Sequence, residues 1–216
     1  MRKIYIVGGG SGYANWMEGK LVDKMEQADL VLLTGGEDVS PSLYGEKAHP
    51  TNGFNPIRDA YEVPEFKKAI KLKKHIIGIC RGSQLSCVMA GGKLVQHQDN
   101  PDYYHPIDTF DGKNILVSST HHQSQYPWKM PQENYKVLGW TRDQSYFHFG
   151  SADKEMVNGI SPENKEVEIA YYPKIKALAI QSHPEALFPN RFNSDRMQES
   201  ILYCQDLLNK HMDDNL

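Results

Sequence analysis

The amino-acid sequence predicts an α/β fold with three layers, in which helices flank a mostly parallel central sheet that also carries some antiparallel strands. Strand and helix patterns alternate through the first part of the chain, and two early strands are continuous apolar runs typical of buried parallel strands. Polar or glycine-rich clusters follow three of the predicted strands, at 35–38, 80–84 and 181–185. With 216 residues, the chain has the length of one domain with a sizeable core, so we expect a single domain over residues 1–216.

The N-terminal elements follow this alternation. Arg2–Val7 is β-branched and alternating, which predicts a strand, and the glycine-rich segment 8–12 predicts a loop. Trp16–Glu26 is compatible with a helix. Asp29–Leu33 is an apolar run that ends in glycines and predicts a buried strand, whereas Glu37–Pro56 is rich in Gly, Pro, Asn and Ser and predicts a loop.

The rest of the chain repeats the pattern and then becomes strand-rich. Val63–Lys74 predicts a helix, His75–Ile79 a second buried strand and Gly82–Gly91 a second helix. Further strands are predicted at Ile115–Val117, Val137–Trp140, Val167–Tyr172 and Ala177–Ile180. The tail predicts an amphipathic helix that Ser194 caps, with Met197, Ile201, Cys204 and Leu208 on one face.

Composition excludes several classes of protein. The net charge of −3 argues against a nucleic-acid-binding surface, and no window approaches the roughly 18 apolar residues of a membrane span. Three cysteines do not form a disulfide framework, so we expect a reducing, cytoplasmic location. No paired Cys-x-x-Cys indicates a zinc site, and His121 and His122 are adjacent and therefore poorly placed to bind one metal ion. We expect neither a metal nor an organic cofactor.

The strongest chemical signal is a strand, a sharp turn and a helix around Cys80. Gly78 and Gly82 flank this cysteine at minus two and plus two, as in a nucleophile elbow with Cys in the place of Ser. Glycines are needed there because the turn is so tight that side chains would collide. The helix that follows directs its N-terminal dipole at Cys80, which favours the thiolate, and the backbone N–H of Arg81 would face a developing oxyanion. Cys87 and Cys204 lack this context and are assigned to packing.

A candidate base follows another predicted strand. His183, Pro184 and Glu185 come directly after it, and a thiol nucleophile needs an imidazole that is itself oriented by a partner on its other nitrogen. Residues two apart on an extended segment point the same way, so Glu185 can support the His183 ring. The order of nucleophile, His and acid differs from that of α/β-hydrolases, in which the acid precedes the His.

These motifs resemble the class I glutamine amidotransferase superfamily, and further segments resemble its γ-glutamyl-γ-aminobutyrate hydrolase branch. The matching segments are Gly35-Gly36-Glu-Asp38-Val39-Ser-Pro41-Ser-Leu-Tyr44-Gly45-Glu46, Arg58-Asp59 with Glu62, Gly91-Gly92-Lys-Leu94 and Ser119-Thr-His121-His122-Gln123. The chain departs from the pattern at Thr34, Ser118 and Ser182, where the branch usually has Pro, Asn and an aromatic residue. Its N-terminal part is also shorter than the family pattern implies, so we expect one early βα unit of the family to be missing or abbreviated.

The resemblance implies a set of site residues. Cys80, His183 and Glu185 would form the catalytic triad, and the backbone amides of Gly36 and Arg81 the oxyanion hole. The residues implied in substrate binding are Gln84, Ser119, His121, His122, Gln123, Arg58 and Glu62.

The expected activity is cysteine-dependent hydrolysis of a γ-glutamyl amide, either glutamine or a γ-glutamyl amine, through a thioester on Cys80. One alternative is a glutaminase subunit that delivers ammonia to a separate synthetase. A second is a non-catalytic binding module on the same fold. The expected partner is a small γ-glutamyl molecule, while a synthetase and a second copy of the chain stay open; no nucleic acid or membrane partner is expected.

The segment 8–12 also raises a dinucleotide-binding alternative. Tyr13 stands where the fingerprint Gly-x-Gly-x-x-Gly, begun at Gly8, requires its last glycine. A structural loop, or a part of the pocket rim, is therefore the favoured interpretation.

Overall fold

The computed structural model describes residues 1–98, 104–141, 147–148, 156–157, 165–187 and 195–216. The helices are α1 (Pro56–Lys71), α2 (Arg81–Met89) and α3 (Asp195–Met212). The strands are β1 (Arg2–Val7), β2 (Gly19–Leu21), β3 (Leu30–Leu33), β4 (His75–Ile79), β5 (Lys93–Val95), β6 (His97–Gln98), β7 (Tyr104–Thr109), β8 (Asn114–Ser118), β9 (Ser124–Tyr126), β10 (Lys136–Thr141), β11 (Phe147–His148), β12 (Met156–Val157), β13 (Glu166–Tyr172) and β14 (Ala177–Ile180). Short 3₁₀ turns cover Ser11–Ala14, Met25–Gln27, Pro41–Tyr44, Pro127–Lys129, Gln132–Asn134, Pro173–Ile175 and Pro184–Leu187.

A mixed sheet lies at the centre of the described structure. Its strand order is β2-β1-β3-β4-β14-β13-β10-β7-β8, and β9 joins it by pairing with β13 and β5. Neighbours are parallel from β2 to β14 and antiparallel from β14 to β8. The predicted α/β class, with a parallel block and antiparallel additions, is confirmed. A small second sheet has the order β12-β11-β6.

Helices cover both faces of this sheet, which produces the three layers. Side chains of a strand alternate between faces, so Leu30 and Leu32 pack in one core cluster and Val31 and Leu33 in the other. The first cluster includes Met197, Ile201, Tyr203, Cys204, Leu207 and Leu208 of α3. The second includes Phe66 and Ala69 of α1 and Leu85, Cys87 and Val88 of α2. The predicted apolar face of the C-terminal helix is therefore confirmed, whereas its predicted cap at Ser194 lies outside the described residues.

The parallel register brings the chemically interesting segments to one edge of the sheet. β4 lies between β3 and β14, with Gly78 opposite both Leu33 and Ala179. The carboxyl ends of these three strands therefore meet, and site residues of open α/β sheets lie at such an edge. The segments after Leu33, Ile79 and Ile180 are those that the sequence predicts to lie near one another.

Two predicted helices differ from the structure. The helix expected at Trp16–Glu26 is wrong, because Gly19–Leu21 pairs with β1 as an edge strand and Met25–Gln27 forms a 3₁₀ turn. Parallel pairing of Gly19–Leu21 with Arg2, Lys3 and Ile4 outweighs the weak helix propensity there. The helix expected to begin at Val63 begins at Pro56, because the Asn55 side chain accepts hydrogen bonds from the N–H groups of Ile57 and Arg58.

Candidate active site

Cys80 occupies the sharp turn between β4 and α2. Its backbone has φ 51° and ψ −108°, a conformation that non-glycine residues rarely adopt and that costs energy wherever it persists. Its N–H donates to the Ile180 carbonyl oxygen at 2.9 Å. Cys80 is the N-cap residue of α2, so it lies at the positive end of the helix dipole.

The two flanking glycines are required by close backbone approach. A side-chain carbon on Gly78 would overlap the backbone carbonyl of Gly82, and one on Gly82 would overlap the carbonyl of Leu33. The α2 helix can therefore pack directly on the ends of β3 and β4. The sequence pattern predicts that side chains would collide in this turn, and these overlaps are the steric reason that Gly78 and Gly82 are needed.

His183 and Glu185 follow β14 and lie beside Cys80. The Nδ1 atom of His183 donates to Oε1 of Glu185 at 2.6 Å, and the His183 ring and Cys80 both border the Gly35 backbone. The His183 backbone N–H donates to the Ser118 hydroxyl at 2.8 Å. Ser118, one of the departures from the family pattern, thus holds the backbone of the candidate base. The structure places all three predicted triad residues in one row, with Glu185 bonded to His183 and His183 close to Cys80.

The electrostatics of this row favour a protonated imidazole. Burial lowers the pKa of His183, but hydrogen bonds and Coulomb attraction from Cys80 and Glu185 outweigh it and raise the pKa to about 10. A protonated His183 beside a cysteine thiolate is the ion pair that activates cysteine nucleophiles. The row can therefore supply both a nucleophile and the proton that a leaving amine needs.

The Gly35–Gly36 segment packs against this row. A side-chain carbon on Gly35 would lie 2.8 Å from Cε1 of His183, 2.8 Å from Oη of Tyr13 and 3.4 Å from Cβ of Cys80. Gly36 has φ 140°, in the region that favours glycine, and a side chain there would overlap the Arg58 guanidinium. Both glycines are therefore needed for the chain to pass between Cys80 and α1.

A cleft of about 230 Å³ opens next to Cys80. It is lined by Gly36, Glu37, Asp38, Thr51, Gly53, Cys80, Gln84, Thr120, His121 and His122. Four of the residues predicted for the oxyanion hole or for substrate binding, Gly36, Gln84, His121 and His122, are thus in its wall. A cleft of this size suits a small polar molecule rather than a protein segment.

Two other predicted substrate-binding residues are buried and are not among the residues that line the cleft. Ser119 is 5% exposed and Gln123 is 1% exposed. Gln84 donates from Nε2 to the Gln123 backbone oxygen at 3.1 Å, and Gln123 donates from its own Nε2 to the Gln96 carbonyl at 3.2 Å. Gln123 therefore fixes the orientation of Gln84, which does line the cleft.

The two histidines of the cleft wall have opposite electrostatic environments. Burial lowers the pKa of His121 despite the nearby Glu168 carboxylate, whose Oε1 lies 3.6 Å from His121 Nε2 and 3.2 Å from His105 Nε2. His122 lies 3.1 Å from Asp38 Oδ2, and this hydrogen bond raises its pKa. The wall therefore presents one neutral imidazole and one imidazole that is stabilised as a cation.

The structure places Arg58 and Glu62, also predicted to bind substrate, outside the cleft wall. Glu62 is fully buried, and its carboxylate accepts hydrogen bonds from Arg58 and Arg81. Arg58 lies behind the Gly35–Gly36 segment. Arg81, whose backbone N–H the sequence predicts as an oxyanion donor, directs its side chain away from the cleft into this ion-pair network.

Sequence reasoning missed two residues at the site. Tyr13 lies in the Ser11–Ala14 turn, with its ring centroid 6.1 Å from that of His183. Asp38 lines the cleft and accepts hydrogen bonds from His122 and the Gly53 N–H. The glycine-rich loop after the first strand was the available signal for Tyr13, because it was compatible with a part of the pocket rim.

The described residues offer neither a metal-binding cluster nor a membrane-spanning helix. Within these parts of the chain, no group of three or more His, Cys, Asp or Glu side chains is arranged to hold a metal ion. None of the helices seen there is both long and apolar enough to cross a bilayer.

The amino-acid sequence matches a known protein family over most of its length. The Peptidase C26 family model matches residues 17–185, which includes the elbow, the glycine pair and the His183 segment. The chain belongs to the peptidase C26 family. Membership of this glutamine amidotransferase-like family supports a cysteine-dependent amidotransferase or hydrolase role.

A sequence relative agrees with this assignment. The glutamine amidotransferase-like protein YvdE of Lactococcus lactis subsp. lactis is 33% identical over 193 residues, which cover 76% of this chain and 72% of the relative. The C26 chain is thus similar to this relative over most of the length of both proteins.

Solved structures show the same fold at low sequence identity. A glutamine amidotransferase from Thermotoga maritima has a TM-score of 0.55 at 14% identity, covering 98% of this chain and 94% of its own. The glutaminase domain of CTPS from Trypanosoma brucei, solved with bound acivicin, has a TM-score of 0.56 at 9% identity, covering 100% and 95%. The C26 chain therefore has the class I glutamine amidotransferase fold.

Proposed function

We propose that this protein hydrolyses a γ-glutamyl amide bond, in glutamine or in a γ-glutamyl amine, with Cys80 as nucleophile, His183 as acid and base, and Glu185 as the residue that orients His183. The observation that carries the proposal is the row of these three side chains, in which Glu185 binds His183, His183 lies near Cys80, and Cys80 lines a small cleft. Each member has the neighbour that its role requires.

In the first step, the Cys80 thiolate attacks the γ-carbonyl carbon of the substrate. The carbonyl electrons move to oxygen, and the backbone N–H groups of Gly36 and Arg81 stabilise this oxyanion. Protonated His183 then transfers its proton to the leaving nitrogen, the carbon–nitrogen bond breaks, and ammonia or an amine departs. A γ-glutamyl thioester on Cys80 and a neutral His183 remain.

In the second step, neutral His183 takes a proton from water as the water oxygen attacks the thioester carbonyl. The carbon–sulfur bond breaks, glutamate is released, and the Cys80 thiolate and protonated His183 are restored. Glu185 keeps Nδ1 of His183 occupied throughout, so the other ring nitrogen carries every proton transfer.

The cleft wall supports recognition of the glutamyl end, which carries one ammonium and one carboxylate group. Gln84 and neutral His121 offer hydrogen bonds, and His122 offers a positive charge to a carboxylate. Ser119 and Gln123 are buried behind this wall, and the Gln123 backbone oxygen accepts the hydrogen bond that orients Gln84. Glu37 and Asp38 also line this cleft and add negative charge to it.

Glutamate release is the direct test. Purified wild type, Cys80→Ala and Cys87→Ser would be incubated with glutamine and with a panel of γ-glutamyl amines. Cys87→Ser is the matched control, because Cys87 is fully buried in the core away from the cleft. We expect release by wild type and Cys87→Ser and none by Cys80→Ala. Normal turnover by Cys80→Ala would refute the proposal.

The same assay separates the alternatives. Release from glutamine alone favours an ammonia-donating subunit, which the shared fold with the CTPS glutaminase domain also permits. Absence of release from every compound, together with an unreactive Cys80 toward a thiol-reactive γ-glutamyl analogue, would favour a binding module.

A further inference from the structure

One helix outside the cleft is connected to both segments that carry the proposed oxyanion donors. Helix α1 contributes Arg58, Asp59 and Glu62, and all three side chains point beneath the turn that contains Cys80. Glu62 is 0% exposed and Asp59 is 5% exposed. Charged side chains are rarely so buried unless each charge is paired, so their partners identify what they hold in place.

The first partner of Glu62 is Arg58, which holds the Gly35–Gly36 segment. Arg58 donates from Nε to Oε1 of Glu62 at 2.6 Å. The same guanidinium donates from Nη2 to the Gly35 carbonyl oxygen at 2.8 Å and from Nη1 to Oε2 of Glu37 at 2.7 Å. Arg58 thus binds the residues on both sides of Gly36 and blocks the space that a side chain on Gly36 would need.

The second partner of Glu62 is Arg81, the residue directly after the nucleophile. The Arg81 side chain is 0% exposed, with Nη1 bonded to Oε2 of Glu62 and Nη2 donating to Oδ1 of Asp59 at 2.5 Å. Asp59 in turn accepts the Ser40 N–H on Oδ2 at 3.1 Å. One carboxylate of α1 therefore connects the first turn of α2 with the segment after β3.

We propose that Glu62 is a positioning residue that fixes the backbone amides of Gly36 and Arg81 relative to each other, through Arg58 on one side and the Arg81 side chain on the other. Glu62 itself does not touch the substrate. Its role in turnover rests on the proposed function, whereas its effect on the two amides does not.

The physical reason is that an oxyanion hole works only when its donors are preorganised. Donors must be held within about 0.5 Å of the productive position, and loss of one donor lowers kcat by about 10²–10³-fold. Gly36 lies in a loop and Arg81 at a helix start, so neither element alone sets the distance between the two N–H groups. A buried carboxylate with a rigid guanidinium on each oxygen supplies that connection.

The test compares Glu62→Gln with Glu65→Gln. Glutamine keeps the shape of Glu62 but places an N–H₂ group against one of the two arginines, so one connection is lost. Glu65 is the control, because it lies on the same helix and contacts only Tyr5 among the hydrogen bonds described, at 3.3 Å. Arg58→Lys is a second variant that keeps the positive charge and loses the forked contact with Gly35. The buried Glu62 then still has Arg81 as a partner.

Backbone amide order parameters measured by NMR are the first measurement. We expect those of Gly36 and Arg81 to fall from about 0.85, typical of rigid backbone, to below about 0.7 in Glu62→Gln, and that of Gly36 to fall likewise in Arg58→Lys. The Ile77 amide of β4 should keep its wild-type value in every variant, and Glu65→Gln should match wild type throughout. An unchanged order parameter of Gly36 in folded Arg58→Lys would overturn the proposal, even if Glu62→Gln failed to fold.

Kinetics with a γ-glutamyl substrate are the second measurement. We expect kcat to fall at least about tenfold in Glu62→Gln and in Arg58→Lys, with KM within about threefold. The rate of Cys80 alkylation by iodoacetamide, which forms no oxyanion, should stay within about twofold of wild type. Equal losses in alkylation and kcat would overturn the proposal, because they would locate the defect at the nucleophile. If wild type hydrolyses nothing, the proposed function fails and the amide order parameters still decide the role of Glu62.

Discussion

Replacing His211 by glutamine tests how the C-terminal helix is held against the strand that carries Cys80. His211 is fully buried in α3, and its Nε2 lies 3.0 Å from the Ile76 carbonyl oxygen in β4. Its ring packs edge-on against His75 and Tyr171, with centroid distances of 4.8 Å and 5.5 Å. Such a site holds a neutral imidazole and excludes the charged form.

The magnitude follows from the pKa of His211. Burial, followed by repulsion from His75, lowers this pKa from 6.5 to about 3, although the Ile76 carbonyl and Asp214 act in the opposite direction. The unfolded chain takes up the proton first, so the stability contributed by neutral His211 is complete above pH 6.5 and is lost as the pH falls toward 3. At pH 5 this loss amounts to about 2 kcal/mol of unfolding free energy.

Urea denaturation at about pH 7.5 and pH 5 measures this effect. Glutamine can still donate to the Ile76 carbonyl but does not titrate. Between the two pH values, the wild type should therefore lose about 2 kcal/mol of unfolding free energy relative to His211→Gln. His122→Gln is a control of opposite sign, because Asp38 raises the pKa of His122 and its contribution is lost as the pH rises. Equal changes in wild type and His211→Gln would refute the reasoning.

Three further predictions concern the site. Glu185→Gln should lower kcat/KM by about 10²–10⁴-fold, and it should move the alkaline limb of the pH–rate profile to lower pH, because Glu185 helps to raise the pKa of His183 to about 10; an unmoved limb would contradict this. Gly78→Ala should lower the free energy of unfolding, measured by thermal denaturation, by about 3 kcal/mol, because the added methyl group overlaps the Gly82 carbonyl. Gly35→Ala should lower kcat at least about tenfold with a melting temperature within about 5 °C of wild type, because its methyl group lies 2.8 Å from His183 Cε1; unchanged kcat would contradict this.

Much of the fold could be predicted because its determinants are local. The parallel strands β3, β4 and β14 are continuous apolar runs that are long enough to identify, and their order in the chain already indicated a shared edge. The short strands β5 and β9 were not predicted, because polar residues pair there with partners distant in sequence. Pairing with β1 likewise outweighed the helix-like composition of Trp16–Glu26.

The sequence by itself determined the elbow around Cys80 and the order of His183 and Glu185. These features depend on neighbouring residues: glycines that allow a tight turn, and an imidazole and carboxylate two positions apart. Only the tertiary structure decided that Tyr13 lies beside His183 and that Glu62 lies beneath the cleft with an arginine on each carboxylate oxygen. The physical reason is that burial and ion pairing depend on which elements pack together. The local sequence around a residue does not specify which distant residues it will contact.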